Sequence, residues 1–534
     1  MKNVTLDLEA IQELHRAGEL ETAKTEYLKL LKKNSKSADL LHGLGILEAQ
    51  IGNFSQATDY FKNAAEHDKQ NPIIYLNLGN AFKALGFFDK AAVAFQQAIT
   101  LDPNYAAALN NLGTVYYAQN NFIDAVNCYR FSIEKQSDYV EAYYNLGLAL
   151  TKQNNIDAAL ETYQTLLKFA PEHAAAEFQL GRLLLETNDF KNAEIHLLNV
   201  EKNYPHHFET QTNLGTCYLK LGALSSAKEH YLKALTLDPG DTQVLFNLGV
   251  VCMQQGYIDR AIQYYQRALQ IQPDYFAAHN NLGVAFLEKQ HVSFALNHFR
   301  EALRLEPENE AIRYTVQMLA QDTRLTTSPP EYIKNLFDTY ADHYELHLLQ
   351  GLDYKIPELL LNAFQKIKKL TPHSMDILDL GCGTGLCGVP FKPYAKSLTG
   401  VDLSPKMLEV AAQKSIYDLL ATQDLQSFNE ANRGRYDLII AGDVLVYSGD
   451  LSALFMSIKT ALRPSGLLIC NTEITTEKDY TMNQSGRFSH QKEYLEQLAK
   501  QHHFKTLHYE KIMTRQQNNE PVYGHLYVWQ AVSF

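Results

Sequence analysis

From residue 377 to residue 385 the chain reads Ile-Leu-Asp-Leu-Gly-Cys-Gly-Thr-Gly, an apolar run that ends in three alternating glycines, and an acid, Asp402, follows seventeen positions further on. Glycines this close together let the backbone approach a ligand with no Cβ in the way, and a carboxylate at the end of the next strand can accept both hydroxyls of a ribose. The spacing predicts a nucleotide-cofactor loop. Gly383-Thr-Gly385-Leu-Cys-Gly388 also satisfies the G-x-G-x-x-G expression of dinucleotide-binding folds, which expect an acid about 20 residues on as well. On the glycines alone, both readings stand.

Such a loop needs a sheet to hold it. After Asp322 apolar runs alternate with helical patterns. Helices are expected over 330–349 and 354–369. Strands are expected over 375–380, 397–401, 418–422, 436–442 and 466–471, with a final pair near 505–509 and 524–530. Strand and helix in alternation imply a parallel sheet covered on both faces, with the ligand at the carboxyl ends of the strands. The stretch Thr323-Arg-Leu-Thr-Thr-Ser-Pro-Pro330 reads as a short linker in front of this domain.

Ahead of the linker the chain repeats itself. Gly45, Gly79, Gly113, Gly147, Gly181, Gly215, Gly249 and Gly283 stand 34 apart, each preceded by leucine, and alanines from Ala23 to Ala295 keep the same spacing. An aromatic follows each alanine by four, from Tyr27 to Phe299, with Leu197 the exception. Proline closes most units, for example Pro103, Pro171 and Pro239. Small residues at two fixed points let paired helices approach, leucine and the aromatic fill the gap, and proline ends the second helix. This pattern resembles the tetratricopeptide repeat (TPR), in nine units from about residue 4 to 309, with 310–321 as a solvating cap helix. The resemblance implies an all-α superhelix over residues 4–321 with a long concave face. Two residues before the glycines stand Asn77, Asn111, Asn145, Gln179, Asn213, Asn247 and Asn281. Such a ladder of amides resembles the one by which the superhelix of O-GlcNAc transferases holds peptide backbones, since an amide offers both donor and acceptor. The alternative is an amide that simply solvates or caps its helix.

Composition sets limits. At 534 residues the chain exceeds one core, and a net charge of −12 argues against a general nucleic-acid binder. Six cysteines without a Cys-x-x-Cys pair suggest no metal site and a reduced, cytoplasmic setting. No stretch approaches a membrane span, so a soluble protein is expected.

Residues 377–385, with Asp379 just before the first glycine, resemble motif I of class I S-adenosylmethionine-dependent methyltransferases. Thr399-Gly-Val-Asp-Leu-Ser-Pro-Lys-Met407 resembles the following motif, and Asp424-Leu425 fits the acid and apolar residue that meet the adenine edge. Residues 436–447 resemble the fourth strand and its exit, and 462–468 the turn into strand five. The similarity spans about residues 330–534, a Rossmann-like domain, and is strongest to bacterial methyltransferases carrying N-terminal tetratricopeptide repeats. It implies S-adenosylmethionine as cofactor, held by Asp379, Gly381, Cys382, Gly383, Asp402, Leu403, Met407, Asp424 and Leu425. Charge agrees: Asp379 would repel a dinucleotide's pyrophosphate, whereas a sulfonium with an amino-acid tail tolerates it.

Methyl transfer rests mainly on alignment and exclusion of water, with a base where the acceptor carries a proton. The catalytic residues are left open, with Asp443, Tyr447 and His490 as candidates. Tyr340 and Tyr344 either close over the cofactor or pack, and Arg487 with His490, expected in a loop, either orient a substrate or stay solvated. Cys382 and Cys387 read as loop and core. The expected protein is a methyltransferase whose repeats recruit a protein or peptide, as substrate or docking partner. The alternatives are a small-molecule methyltransferase localised by its repeats and a non-catalytic scaffold.

Overall fold

A computed structural model describes residues 2–320, 322, 324–352, 354–369, 371–483, 485–517 and 520–532. Gln321, Thr323 and Phe534, which fall within the expected cap, linker and C-terminal domain, lie outside the described residues. The chain divides into two compact units, 1–256 and 257–534.

Unit 1 is a series of antiparallel helix pairs, of which Ala106–Ala118 with Phe122–Lys135 and Val140–Lys152 with Ile156–Phe169 are typical. The repeat pattern now has a steric meaning. A Cβ placed on Gly45, Gly79, Gly113, Gly147 or Gly215 would come within 2.5–2.6 Å of the aromatic ring sixteen residues on, in the partner helix. At Gly181 the atom met is the Leu197 side chain, at 2.8 Å, so the one non-aromatic unit fills the same slot with leucine. The turn between paired helices carries a second periodic constraint: Gly52, Gly86, Asn120, Asn154, Asn188 and Gly222 all have φ between 59° and 86°. Only glycine and, at some cost, asparagine enter that left-handed helix end readily.

Unit 2 begins with helices of the same kind, Ile258–Ile271, Phe276–Glu288 and Val292–Leu305, followed by the cap helix Glu310–Leu319. A sheet then follows whose strands are β1 (Met375–Leu380), β2 (Ala395–Asp402), β3 (Leu419–Thr422), β4 (Tyr436–Ala441), β5 (Leu462–Ile474), β6 (Tyr480–Met482), β7 (Phe488–His490), β8 (Phe504–Gln517) and β9 (Glu520–Ala531). Its order is β3-β2-β1-β4-β5-β7-β6, and β9 pairs with both β5 and β8. Strands β1 to β5 run parallel to their neighbours, while β9 is antiparallel to β5. Apolar cores lie on both sheet faces. One gathers around Phe455, Tyr527 and Trp529, and the other around Phe364, Phe391 and Ile377.

The seven expected strands are present, and β6 and β7 are additional. The helix expected over 330–349 is interrupted: it runs over Pro330–Tyr340 and continues as short irregular turns to Gly351. Residues 326–328 of the stretch read as a linker pair with the segment that follows β4. Gly449 and Asp450 donate their N–H groups to Thr326 O at 2.8 and 3.0 Å, Thr327 pairs with Ser448, and Ser328 N donates to Tyr447 O at 2.9 Å.

Candidate functional site: a cavity at the carboxyl ends of the parallel strands

Four strand exits converge on one cavity of about 330 Å³. Gly381 and Gly383 follow β1, Asp402 ends β2 and Leu403 follows it, Asp424 and Leu425 follow β3, and Gly442, Asp443 and Val444 leave β4. This is where the strand order changes direction from β1 outward, the position at which open parallel sheets bind ligands. The far wall comes from Thr327, Ser328, Ile333, Phe337 and Tyr344, and Tyr447 and Leu454 complete it.

The glycine loop is left-handed at all three glycines, with φ of 67° at Gly381, 52° at Gly383 and 91° at Gly385. A Cβ at Gly381 would come within 2.6 Å of the Val444 side chain, whereas at Gly383 nothing lies nearer than Tyr344 at 4.0 Å, so this glycine faces open space. Asp402 holds the loop: its Oδ2 accepts from Gly383 N and its Oδ1 from Ser404 N, both at 2.9 Å. Burial raises the Asp402 carboxyl above its ordinary range. Asp424 caps the helix Leu425–Ala431 through Oδ1, which accepts from Ser427 N at 2.9 Å.

Asp379 is 1% exposed. Tyr417 Oη donates to its Oδ2 at 2.6 Å, while Oδ1 is buried without a hydrogen-bond partner. Burial, helped by the Asp402 charge, pushes its carboxyl up to about 7. An orphaned carboxylate oxygen beside a glycine loop is what the ammonium of an amino-acid tail would satisfy, and Asp402 and Asp424 border the cavity where hydroxyls and an adenine amine would bind. This set of acceptors fits S-adenosylmethionine. Of the other residues expected around it, Leu403 and Leu425 line the cavity, while Cys382 and Met407 are buried behind it.

The cavity wall at the exit of β4 is built on Asp443. Its φ of 59° is left-handed, a strained conformation for a residue with a side chain. Asn471, on β5, clasps it from both ends: Asp443 N donates to Asn471 Oδ1 at 2.9 Å, and Asn471 Nδ2 donates to Asp443 Oδ1 at 2.7 Å. Asp443 Oδ2 pairs with Arg487 Nη2 at 3.2 Å. Arg487 Nε also donates to Glu473 Oε1 at 2.6 Å, Nη1 donates to Tyr447 Oη at 3.2 Å, and Arg515 Nη1 joins Glu473 Oε1 at 2.7 Å. Burial opposes the Arg487 charge, but Asp443, Tyr447 and Glu473 outweigh it and hold the guanidinium well above its ordinary value. Arg487, Arg515 and Glu473, behind the wall, thus balance in charge with Asp443, which borders the cavity.

Tyr447 lines the cavity, and burial raises its phenol. His490 ends β7 rather than sitting in a loop, and it is 0% exposed. Its Nδ1 lies 2.6 Å from Thr472 Oγ1, and its Nε2 bonds to Ser448 O at 2.9 Å. Burial lowers the imidazole to about 4, so the ring is neutral. Both nitrogens are thereby engaged within the fold, outside the cavity wall. Tyr344 borders the cavity and packs edge-on against Phe337 and Tyr340, with ring centres 5.9 and 5.8 Å apart. Sequence reasoning missed Asn471, Glu473 and Arg515. Their signal was present as Asn471-Thr-Glu473 at the end of an otherwise apolar strand, since a charged residue buried in a sheet calls for a partner.

The amide ladder lies in helices of both units, and every member is half-buried. Asn77 Nδ2 lies 2.8 Å from His42 Nε2, Asn111 Nδ2 donates to Asn80 at 2.9 Å, and Asn145 Nδ2 donates to Asn110 at 3.0 Å. Gln179 accepts from Arg182 Nε at 3.2 Å, and Asn247 accepts from Gln243 at 3.0 Å. The amides therefore bond partly within the array itself. Among the described residues no group of three or more His, Cys, Asp or Glu could hold a metal ion. No helix there is long and apolar enough to cross a membrane.

Comparison with known proteins agrees with this geometry. A methyltransferase-domain family matches residues 378–468, and tetratricopeptide-repeat families match 79–120, 111–174, 152–208, 208–241 and 251–290. The malonyl-[acyl-carrier protein] O-methyltransferase of Hahella chejuensis is 32% identical over 26% of this chain and 48% of its own length. The ubiquinone biosynthesis O-methyltransferase of Rickettsia akari is 27% identical over 25% of this chain and 55% of its own. The chain thus spans about half the length of these curated relatives. The crystal structure of MamA aligns at 26% identity with a TM-score of 0.30, covering 31% of this chain and 96% of that one. The sheet that carries the cavity is that of a class I methyltransferase domain. The chain as a whole joins N-terminal tetratricopeptide repeats to that C-terminal domain.

Proposed function

We propose that the chain is a cytosolic S-adenosylmethionine-dependent methyltransferase whose repeats and cap, residues 4–321, recruit the protein on which the domain at 330–534 acts. The carrying observation is the convergence of Gly383, Asp402, Asp424 and Asp443 from four strand exits on one cavity. When bound, the cofactor supplies an activated methyl group. Asp402 would take the ribose hydroxyls, Asp424 and Leu425 the adenine edge, and Asp379 Oδ1 the tail ammonium. The aromatic wall of Phe337, Tyr344 and Tyr447 would exclude water and orient the acceptor, an effect of proximity more than of covalent chemistry. Recruitment of a protein is supported by the amide ladder, whose remaining donors and acceptors suit an extended main chain.

Calorimetric titration with S-adenosylmethionine, followed by radiolabelled methyl transfer into fractionated lysate, tests the proposal. Cofactor binding with label in protein is the expected result. Label confined to small molecules would remove the recruitment of a protein substrate, and binding without any transfer would leave a scaffold.

A further inference from the structure

The three charged side chains that border the cavity, Asp402, Asp424 and Asp443, are all acids, and no described lysine, arginine or histidine borders it. The nearest guanidinium, Arg487, lies behind Asp443 and Tyr447 and is balanced by Glu473 and Asp443. With Asp402 and Asp424 turned to the cofactor and Asp443 paired with Arg487, an anionic acceptor would meet no described cationic side chain on the cavity wall, whereas an amine would meet the Asp443 carboxylate. A hydroxyl acceptor fares little better, because it must lose its proton as it reacts. Both Asp443 oxygens are engaged, one by Asn471 and one by Arg487, and both nitrogens of His490 are bonded within the fold. Taking up a hydroxyl proton would cost Asp443 the charge that Arg487 pairs with, whereas accepting an N–H hydrogen bond asks only for a further lone pair, and Ser328 and Tyr447 add neutral polar groups beside it.

We infer that the methyl acceptor is an amine nitrogen, oriented by Asp443 and Tyr447, rather than a carboxylate or an alcohol; the inference rests on the methyltransferase reading above. The neutral amine's lone pair forms the N–C bond while the C–S bond breaks with its electrons going to sulfur. The positive charge passes to nitrogen, and the proton on the product ammonium leaves to solvent. Asp443 faces the charge that develops on the nitrogen, and no base is needed in the bond-making step.

Two measurements on the full-length protein test this. The first compares calorimetric binding of S-adenosylhomocysteine with that of sinefungin, which carries a primary amine where S-adenosylmethionine carries its methylated sulfur. Sinefungin should bind roughly tenfold more tightly, a preference that shrinks in Asp443→Asn, as expected for a charge-assisted hydrogen bond. Equal or weaker sinefungin binding overturns the inference, and so does a preference untouched by Asp443→Asn. Failure of both ligands to bind overturns the methyltransferase reading instead. The second measurement classifies the tritium transferred from S-adenosylmethionine into lysate fractions. Label that resists alkali and appears as N-methylated amine after acid hydrolysis supports the inference. Label released as volatile methanol by alkali marks a methyl ester, and label recovered as O-methyl ether marks a hydroxyl acceptor; either overturns it. Cofactor binding with no label anywhere overturns the catalytic reading on which it rests.

Discussion

At the scale of single residues, the site is set by carboxylates whose surroundings differ. Asp402 ties the glycine loop through Gly383 N and faces the cavity, so its removal should cost loop order together with the ribose contact proposed for it. Asp402→Ala should weaken S-adenosylmethionine binding by about 1–3 kcal/mol, the scale of losing hydrogen bonds to a charged acceptor. Calorimetry on wild type and variant checks this, and equal affinities would remove Asp402 from the cofactor site. Asp379 makes a pH prediction. Its carboxyl stands near 7 in the fold against an ordinary 3.8, so the folded protein binds the extra proton and the free protein loses stability as pH rises from about 4 to about 7. A cofactor ammonium prefers the ionised form, so affinity should rise over the same window. His490 and His525, both lowered to about 4, act oppositely and cost stability as pH falls from about 6.5 to about 4. The difference between wild type and Asp379→Asn isolates Asp379. Parallel pH profiles in melting temperature and in cofactor affinity would refute its role.

At the scale of elements, the sequence was legible wherever one residue type recurs at a fixed spacing. The 34-residue glycines and the aromatics that follow them describe one steric event, a ring seated on a bare Cα, and the pattern therefore survives in one dimension. The loop at 377–385 was legible for the same reason, since it must carry glycines at left-handed φ. Strands β6 and β7 were not, because three residues hold no alternation and Gly486-Arg-Phe reads as a turn. The Arg487–Glu473–Arg515 cluster was hidden because its partners lie on β5, on β8 and in the turn before β7, and meet only in the folded domain. The linker was hidden too: Thr, Ser and Pro suggest a loop, and nothing local announces that 326–328 will pair with 447–450. That pairing gives the cap helix a grip on the cavity. Tyr314 Oη bonds Ser328 Oγ at 2.8 Å, where Ser328 lines the cavity, and donates to Gly486 O at 3.2 Å, one residue before Arg487. Tyr314→Phe should cost about 1–2 kcal/mol by unpairing buried groups, and should loosen both sides of the wall together. Hydrogen exchange at 326–328 and 486–490 reads it out; protection unchanged at both would show that the cap helix merely packs.

At the scale of the whole molecule, the question is whether the repeats serve the catalytic domain by holding a peptide. The ladder amides are half-buried and several are already hydrogen-bonded to neighbours such as Asn110 and Gln243, so those retain only part of their donor and acceptor capacity. One such amide would bind weakly. Several along one chain act together, because an extended peptide held by the first presents its next groups to the second at high effective concentration. Replacing Asn145, Asn213 and Asn247 together with alanine should therefore abolish partner capture far more completely than any single change. Stability should fall chiefly by the Asn145–Asn110 bond, about 1 kcal/mol, which a thermal melt measures as the control. Affinity to S-adenosylmethionine should not change, since no ladder residue borders the cavity. Pulldown with wild type and the triple variant, followed by methyl transfer into the captured proteins, separates the cases. Loss of capture and of transfer together makes the bound protein the acceptor. Loss of capture with transfer intact makes it a docking partner, and capture of the same proteins by the variant reduces the amides to helix solvation.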